Sequence, residues 1–148
     1  MTVEVEGMAE LKGNFKKLEI EFGKEIKGAL IAGGLLVETQ AKNNVQDLSP
    51  GRNVTRYREG GSKKTHVAAG AGESPNTDTG ALVRSINTEV KKDSVYVGTS
   101  LEYAPWLEFG TINMRPRPFL NKALLKEQSQ INKLIIKAAK AAINASTS

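Results

Sequence analysis

The chain contains no cysteine, which excludes a disulfide framework, thiolate chemistry and cysteine-ligated zinc. Histidine is almost as scarce. The single one, His66, lies in a polar, glycine-rich stretch with no second imidazole to share a metal and no serine arrangement to make a triad. Aromatic residues are few, 5% of the total with one tryptophan. No apolar run approaches the ~20 residues that cross a bilayer, so no membrane partner is expected. Residues 1–13 lack the basic start and apolar centre of a secretion signal, and the reading is a protein made and used in the reducing cytoplasm. The 148 residues fit a single domain, 1–148, able to bury a core without staples. Nothing calls for a cofactor or a metal.

Charge is present but uneven. Of the net +5, residues 49–74 carry +3 and residues 118–148 carry +4, against −2 in residues 1–7. A basic helix face is ordinarily just solvated. A basic loop holding Arg52, Arg56, Tyr57, Arg58, Lys63 and Lys64 is the better candidate to face a polyanion.

The pattern along the chain changes period several times. Thr2–Glu6 alternates Val3 and Val5 with polar residues and suits a short strand. From Met8, apolar residues recur three and four apart (Leu11, Phe15, Leu18, Phe22, Ile26, Leu30, Val37, Ala41, Val45), the mark of one long amphipathic helix. Gly33-Gly34 interrupts it and marks either a kink or a close approach. Residues 49–75 show no sustained period and are expected to form a long, flexible basic loop, with Thr65–Ala69 able to extend on a partner. Asp78 or Thr79 should cap a short helix whose inner face holds Leu82 and Ile86. Ile86–Val90 and Val95–Gly98 read as an antiparallel hairpin turning at Lys91–Ser94. Tyr103–Phe109 reads as a turn of helix with Pro105 in its first turn and Gly110 as a left-handed stop. Arg115–Pro118 must be extended. A last helix then carries a stripe of Leu120, Leu124, Ile131, Leu134, Ile135, Ala138 and Ala142 and frays over 143–148. The sum is an α+β fold: a small antiparallel β-sheet packed against a long N-terminal helix and a C-terminal helix, with a long basic loop. So small a sheet leaves open edges that a neighbouring subunit could cover.

The most informative stretch is Tyr103–Leu120, Y-A-P-W-L-E-F-G-T-I-N-M-R-P-R-P-F-L. It combines aromatic anchors, a glutamate and two arginines on a proline-stiffened path. That is the composition of a contact surface, and the candidate subunit-interface residues are Tyr103, Trp106, Glu108, Phe109, Arg115, Arg117 and Phe119. Taken alone, Trp106 and Phe109 also suit a core; Glu108 beside a guanidinium fork argues for a directional intersubunit contact. On this reading Trp106→Ala or Glu108→Ala leaves a folded chain that fails to assemble. Catalytic patterns are weak. Glu102 and Glu108 lack a third polar group, the Gly70/Gly72 region has no phosphate-loop frame, and Ser85 has no base nearby. A non-sequence-specific nucleic-acid contact through Arg52, Arg56, Arg58, Lys63 and Lys64 is the alternative of another class.

Three segments in order carry a resemblance: D-T-G-A-L-V-R-S-I at Asp78–Ile86, V-G-T at Val97–Thr99 with Y-A-P-W-L-E-F-G-T at Tyr103–Thr111, and R-P-F-L at Arg117–Leu120. In these the chain resembles the tail-completion or neck proteins of long-tailed, siphovirus-type bacteriophages and their prophages. The resemblance implies a non-enzymatic protein of the head–tail connection, working as a ring of six subunits or a multiple of six. Such a subunit can be monomeric in isolation, with neighbouring neck and tail proteins as partners. It would be found in the virion and, during assembly, in the host cytoplasm. The basic loop would then face a lumen through which DNA passes. Tail terminators share this placement and are not separated from it by these motifs.

Overall fold

The computed structural model describes residues 8–47, 51–57, 60–70, 72–76 and 79–146, the side chains of residues 8–11 and 146 excepted. The Thr2–Glu6 strand, Arg58 and the Asp78 cap fall outside the described residues. The element order is α1 (Met8–Gln46), β1 (Gly51–Tyr57), β2 (Lys63–Ala69), α2 (Ala81–Ser85), β3 (Ile86–Val90), β4 (Val95–Thr99), α3 (Ala104–Phe109) and α4 (Leu120–Ser146). The α+β class holds, but the expected single sheet is two separate two-stranded sheets, β1–β2 and β3–β4.

The chain divides into two compact units. The first comprises residues 1–33 and 129–148, where the described structure is purely helical. Its contact is made through small residues: Ala29, Ala138 and Ala142 are buried, and a Cβ on Gly33 would stand 3.3 Å from the Ile131 side chain. The glycine admits a close approach that alanine would crowd. Coverage is incomplete. Phe15, Ile20, Phe22, Ile136 and Ile143 all remain exposed, so much of the apolar face read from the N-terminal half of α1 is bare. The helix α4 runs to Ser146.

The second unit, residues 34–128, holds the larger core: Val37, Ala41 and Val45 from α1, with Ala69, Leu82, Ile86, Ala104, Phe119 and Ala123. Here the apolar stripe of α1 is buried as its spacing predicts. On α4 the seam shifts: Ala123 is fully buried and Leu124 half exposed. The small side chain is taken inward, and the bulkier leucine faces outward. The β3–β4 hairpin has the expected register, Ile86 opposite Thr99 through Val90 opposite Val95. Its inner face meets α1 at Gly34, where an added Cβ would lie 2.5 Å from a Val95 methyl and 3.0 Å from that of Thr88. Gly33-Gly34 therefore serves close approach, and α1 runs through it unbroken. Thr88 also donates its hydroxyl to the Glu38 carboxylate at 2.6 Å, and Glu38 pairs with Lys42 one turn on. The lysine first and the threonine second hold the Glu38 carboxyl below its ordinary value of 4.5.

Residues 49–75 are not a structureless loop. Gly51–Tyr57 pairs with Lys63–Ala69 over seven positions, from Gly51 opposite Ala69 to Tyr57 opposite Lys63. The alternation that reveals a half-buried strand is missing because β1 is exposed along nearly its whole length. Short-range pairing makes the hairpin where burial does not.

Candidate functional site

The corner α3–turn–α4 has two sides of opposite character. In α3, Ala104 and Glu108 are four apart and buried, while Tyr103, Trp106 and Phe109 follow at intervals of three on the outer side. Trp106 is 58% exposed, Phe109 77%, and Ile112 in the next turn is fully exposed. Pro105 sits in the first turn as expected. The helix stops at Gly110 with φ 77° and ψ −177°, a region close to glycine-only rather than the left-handed helical stop predicted. A Cβ there would be 2.6 Å from the Met114 carbonyl oxygen and 2.8 Å from the Pro116 nitrogen. The glycine thus allows a tight turn closed by Thr111 N–H to Met114 O (2.8 Å) and Met114 N–H to Thr111 O (3.2 Å). That turn holds Ile112 outward.

On the inner side Glu108 does something the sequence reading did not foresee. One carboxylate oxygen accepts the N–H groups of Phe119 (2.9 Å) and Leu120 (3.1 Å), and the other accepts Asn121 N–H at 2.8 Å. These are donors at the start of α4, which have no partner within the helix, and the negative charge sits at the positive end of the helix dipole. The guanidinium contact expected of Glu108 is not what its carboxylate makes within this chain. Phe119, also expected at an interface, is fully buried. One signal was available: α4 opens at P-F-L with no Ser, Thr, Asp or Asn in capping position, so a remote acceptor is required.

The segment 115–118 is held by its backbone. Arg117 N–H donates to Leu107 O at 2.7 Å, Pro116 O accepts Gly72 N–H at 3.2 Å, and the Ser74 hydroxyl donates to Pro118 O at 2.9 Å. Arg115 is exposed and Arg117 half-buried. Arg117 and Tyr103 help line a cleft of about 390 Å³ whose other walls come from Arg56, His66, Ala68, Asn76 and Leu82 among others. In α2 the expected helix cap is replaced by a local turn, with Thr79 Oγ1 accepting Ala81 N–H at 3.3 Å ahead of Gly80 at φ 73°.

The basic candidates separate by strand alternation. Arg52 and Arg56 share one face of the hairpin with Lys64 and His66, while Tyr57 and Lys63 share the other. On that second face the Lys63 ammonium lies 5.6 Å from the Tyr57 ring centroid. Among the described residues no group of three or more His, Asp or Glu could hold a metal ion, and no helix is long and apolar enough to cross a membrane. The structure thus leaves Tyr103, Trp106, Phe109 and Arg115 at the surface, adds Ile112 to them, and draws Glu108 and Phe119 inward.

No curated protein and no solved structure matches the chain. Residues 9–110 match the family described as "Bacteriophage HK97-gp10, putative tail-component". The match spans α1, both hairpins and α3 through Gly110, and leaves out the R-P-F-L segment and α4. With well over half of its length matched, the chain belongs to the HK97-gp10-like family of phage tail components.

Proposed function

We propose that this protein is a non-enzymatic subunit of the phage head–tail junction that completes the tail by closing into a ring with copies of itself. One observation carries the reading: a tryptophan, a phenylalanine and an isoleucine stand exposed on a corner whose backbone is fixed by Gly110 and by the carboxylate of Glu108. A monomer gains nothing from rigidly displaying Trp106, Phe109 and Ile112, whereas a hot spot needs preorganised aromatic anchors. The interface set is accordingly Tyr103, Trp106, Phe109, Ile112 and Arg115, with Arg117 at its inner margin. Both small sheets add strand sides that are unpaired among the described residues, which a neighbouring subunit can cover. A heterologous interface of this kind closes into a ring, six-fold or a multiple of six, in contact with neck and tail neighbours in the virion. A tail terminator would use the same surface. In particles assembled with Trp106→Ala the tail should fail to join or complete. Normal yields of infectious virions from that variant would overturn the assignment.

A DNA-facing role is favoured by one separate observation: Arg52, Arg56 and Lys64 lie on one face of the exposed β1–β2 hairpin. Such a face would contact phosphates without reading sequence. Binding of duplex DNA should then weaken steeply with salt, and Arg52→Gln with Lys64→Gln should flatten the slope by about two. A salt-independent or undetectable interaction removes this role and leaves the ring untouched.

A further inference from the structure

We infer that the aromatic corner of one copy seats on the outer face of the β3–β4 hairpin of the next, with Trp106 laid over Gly98 and Arg115 meeting Glu89. The inference rests on the self-assembly reading above and names the second half of its interface. A heterologous contact needs two different patches on one chain, and the corner supplies only the first. In the hairpin, Thr88, Val95 and Val97 share the face that meets Gly34. Strand alternation puts Asn87, Glu89, Tyr96 and Gly98 on the opposite face, where the first three are exposed. Gly98 is the telling member. Its φ lies outside the left-handed region, and a Cβ placed on it would meet no described atom within 4 Å beyond its chain neighbours. At Gly34 and Gly110, by contrast, a Cβ would strike neighbours at 2.5 and 2.6 Å. Neither conformation nor packing within this chain therefore calls for glycine at 98, although a glycine inside a strand weakens it.

A bare strand backbone suits an aromatic ring, which covers the peptide surface that the missing side chain leaves open. Tyr96, two residues away on the same face and 53% exposed, offers that ring an aromatic neighbour. The seat is empty within the chain, since no described atom stands where the Gly98 side chain would be, so a second copy must fill it. Charge selects this hairpin over the other. Arg115 is exposed on the corner, and among the described residues no carboxylate pairs with it. The Glu89 side chain is 66% exposed, and its ion pair with Lys91 is a loose 3.8 Å. Strands β1 and β2 hold no acidic residue and carry cations on both faces, which would repel Arg115.

The chain has no cysteine, so introduced cysteines report the contact even where isolated chains associate weakly. Full-length Asn87→Cys and Ile112→Cys chains, both altered at exposed positions, should cross-link with each other under mild oxidation about tenfold faster than either does with itself. Adding Trp106→Ala to the second chain should remove that preference. Equal rates would overturn the inference. Gly98→Thr introduces a residue that strands favour, so urea unfolding should find it at least as stable as the parent, while assembly weakens about tenfold or more because the seat is filled. A destabilised Gly98→Thr would mean that the glycine serves the monomer and would also overturn the inference. Glu89→Arg should block assembly and be rescued by Arg115→Glu in the same chain, since every copy both donates and receives. If Trp106→Ala blocks assembly while Gly98→Thr and Glu89→Arg do not, the ring stands and this seat falls. If the cross-linking preference holds and vanishes with Trp106→Ala, yet particles carrying Trp106→Ala assemble normally, the contact stands and its role in tail completion falls.

Discussion

The two hairpins of this chain are of similar size and opposite consequence. In β3–β4 one face is pressed onto α1 at Gly34 and tied to it by the Thr88–Glu38 hydrogen bond. In β1–β2 most positions are exposed, and its cations lie on both faces. The first is held by burial and serves the fold. The second is held chiefly by its own ladder, and β1 stays exposed along nearly its whole length. The same division repeats within α3, where Glu108 faces in and Trp106 faces out. In both places a few inward groups fix the backbone so that outward groups can be displayed.

The sharpest way to break this division is to remove its innermost polar group. Glu108→Ala leaves three N–H donors at the start of α4 without their acceptor, two of them half-buried or deeper. Loss of charge-assisted bonds at a buried site should cost about 3 kcal/mol or more. Glu108→Gln keeps an acceptor but loses the charge and should cost about half as much. Urea unfolding of the two variants checks the order. This replaces the sequence-based expectation that Glu108→Ala folds normally and fails only in assembly. A variant as stable as the parent would mean that the carboxylate is not needed to cap α4.

A smaller effect separates the hairpins by pH. The carboxyl of Glu38 is held below its ordinary value of 4.5 by Lys42 and then Thr88. A depressed carboxyl stabilises the folded state above its unfolded value and ceases to do so as pH falls through its folded value. The parent should therefore be more stable than Glu38→Gln above pH 4.5, and this advantage should shrink progressively below it. Thr88→Val should reduce the advantage, while substitutions at Arg52 or Lys64 on the other hairpin should leave it unchanged. Thermal unfolding across acidic pH is the measurement. A constant difference between parent and Glu38→Gln at every pH would show that the contact contributes no linkage.

Much of this architecture was legible because local chemistry and burial agree. The β3–β4 hairpin alternates and turns at Lys91–Ser94, and α1 repeats at three and four over the half that is buried. Pro105 opens α3 as read, and Gly110 ends it at the expected position though not in the left-handed helical conformation. What was hidden has physical reasons. Burial writes no alternation into β1, so its strand was invisible. Ala123 replaces Leu124 in the α4 seam, a choice between adjacent apolar residues that hydrophobicity alone does not indicate. The role of Glu108 spans eleven residues to Phe119, beyond any periodic signal. The candidate surface was legible as a composition, but which of its members faced in or out was not.

The smallest effect on stability is expected where the effect on function should be greatest. Trp106 is 58% exposed on the outer side of α3, with most of its surface open to solvent. Trp106→Ala should change unfolding stability by no more than ~0.5 kcal/mol. At a preorganised hot spot the same truncation costs about 2 kcal/mol or more of association at each interface. In a closed ring that loss recurs at every contact, so a modest defect per subunit becomes failure to assemble. Urea unfolding and sedimentation of the same preparation measure both numbers. A variant destabilised by several kcal/mol would place Trp106 in the core, contrary to its exposure. A stable variant that still assembles would move the contact surface elsewhere, with the open sides of the two hairpins next in line.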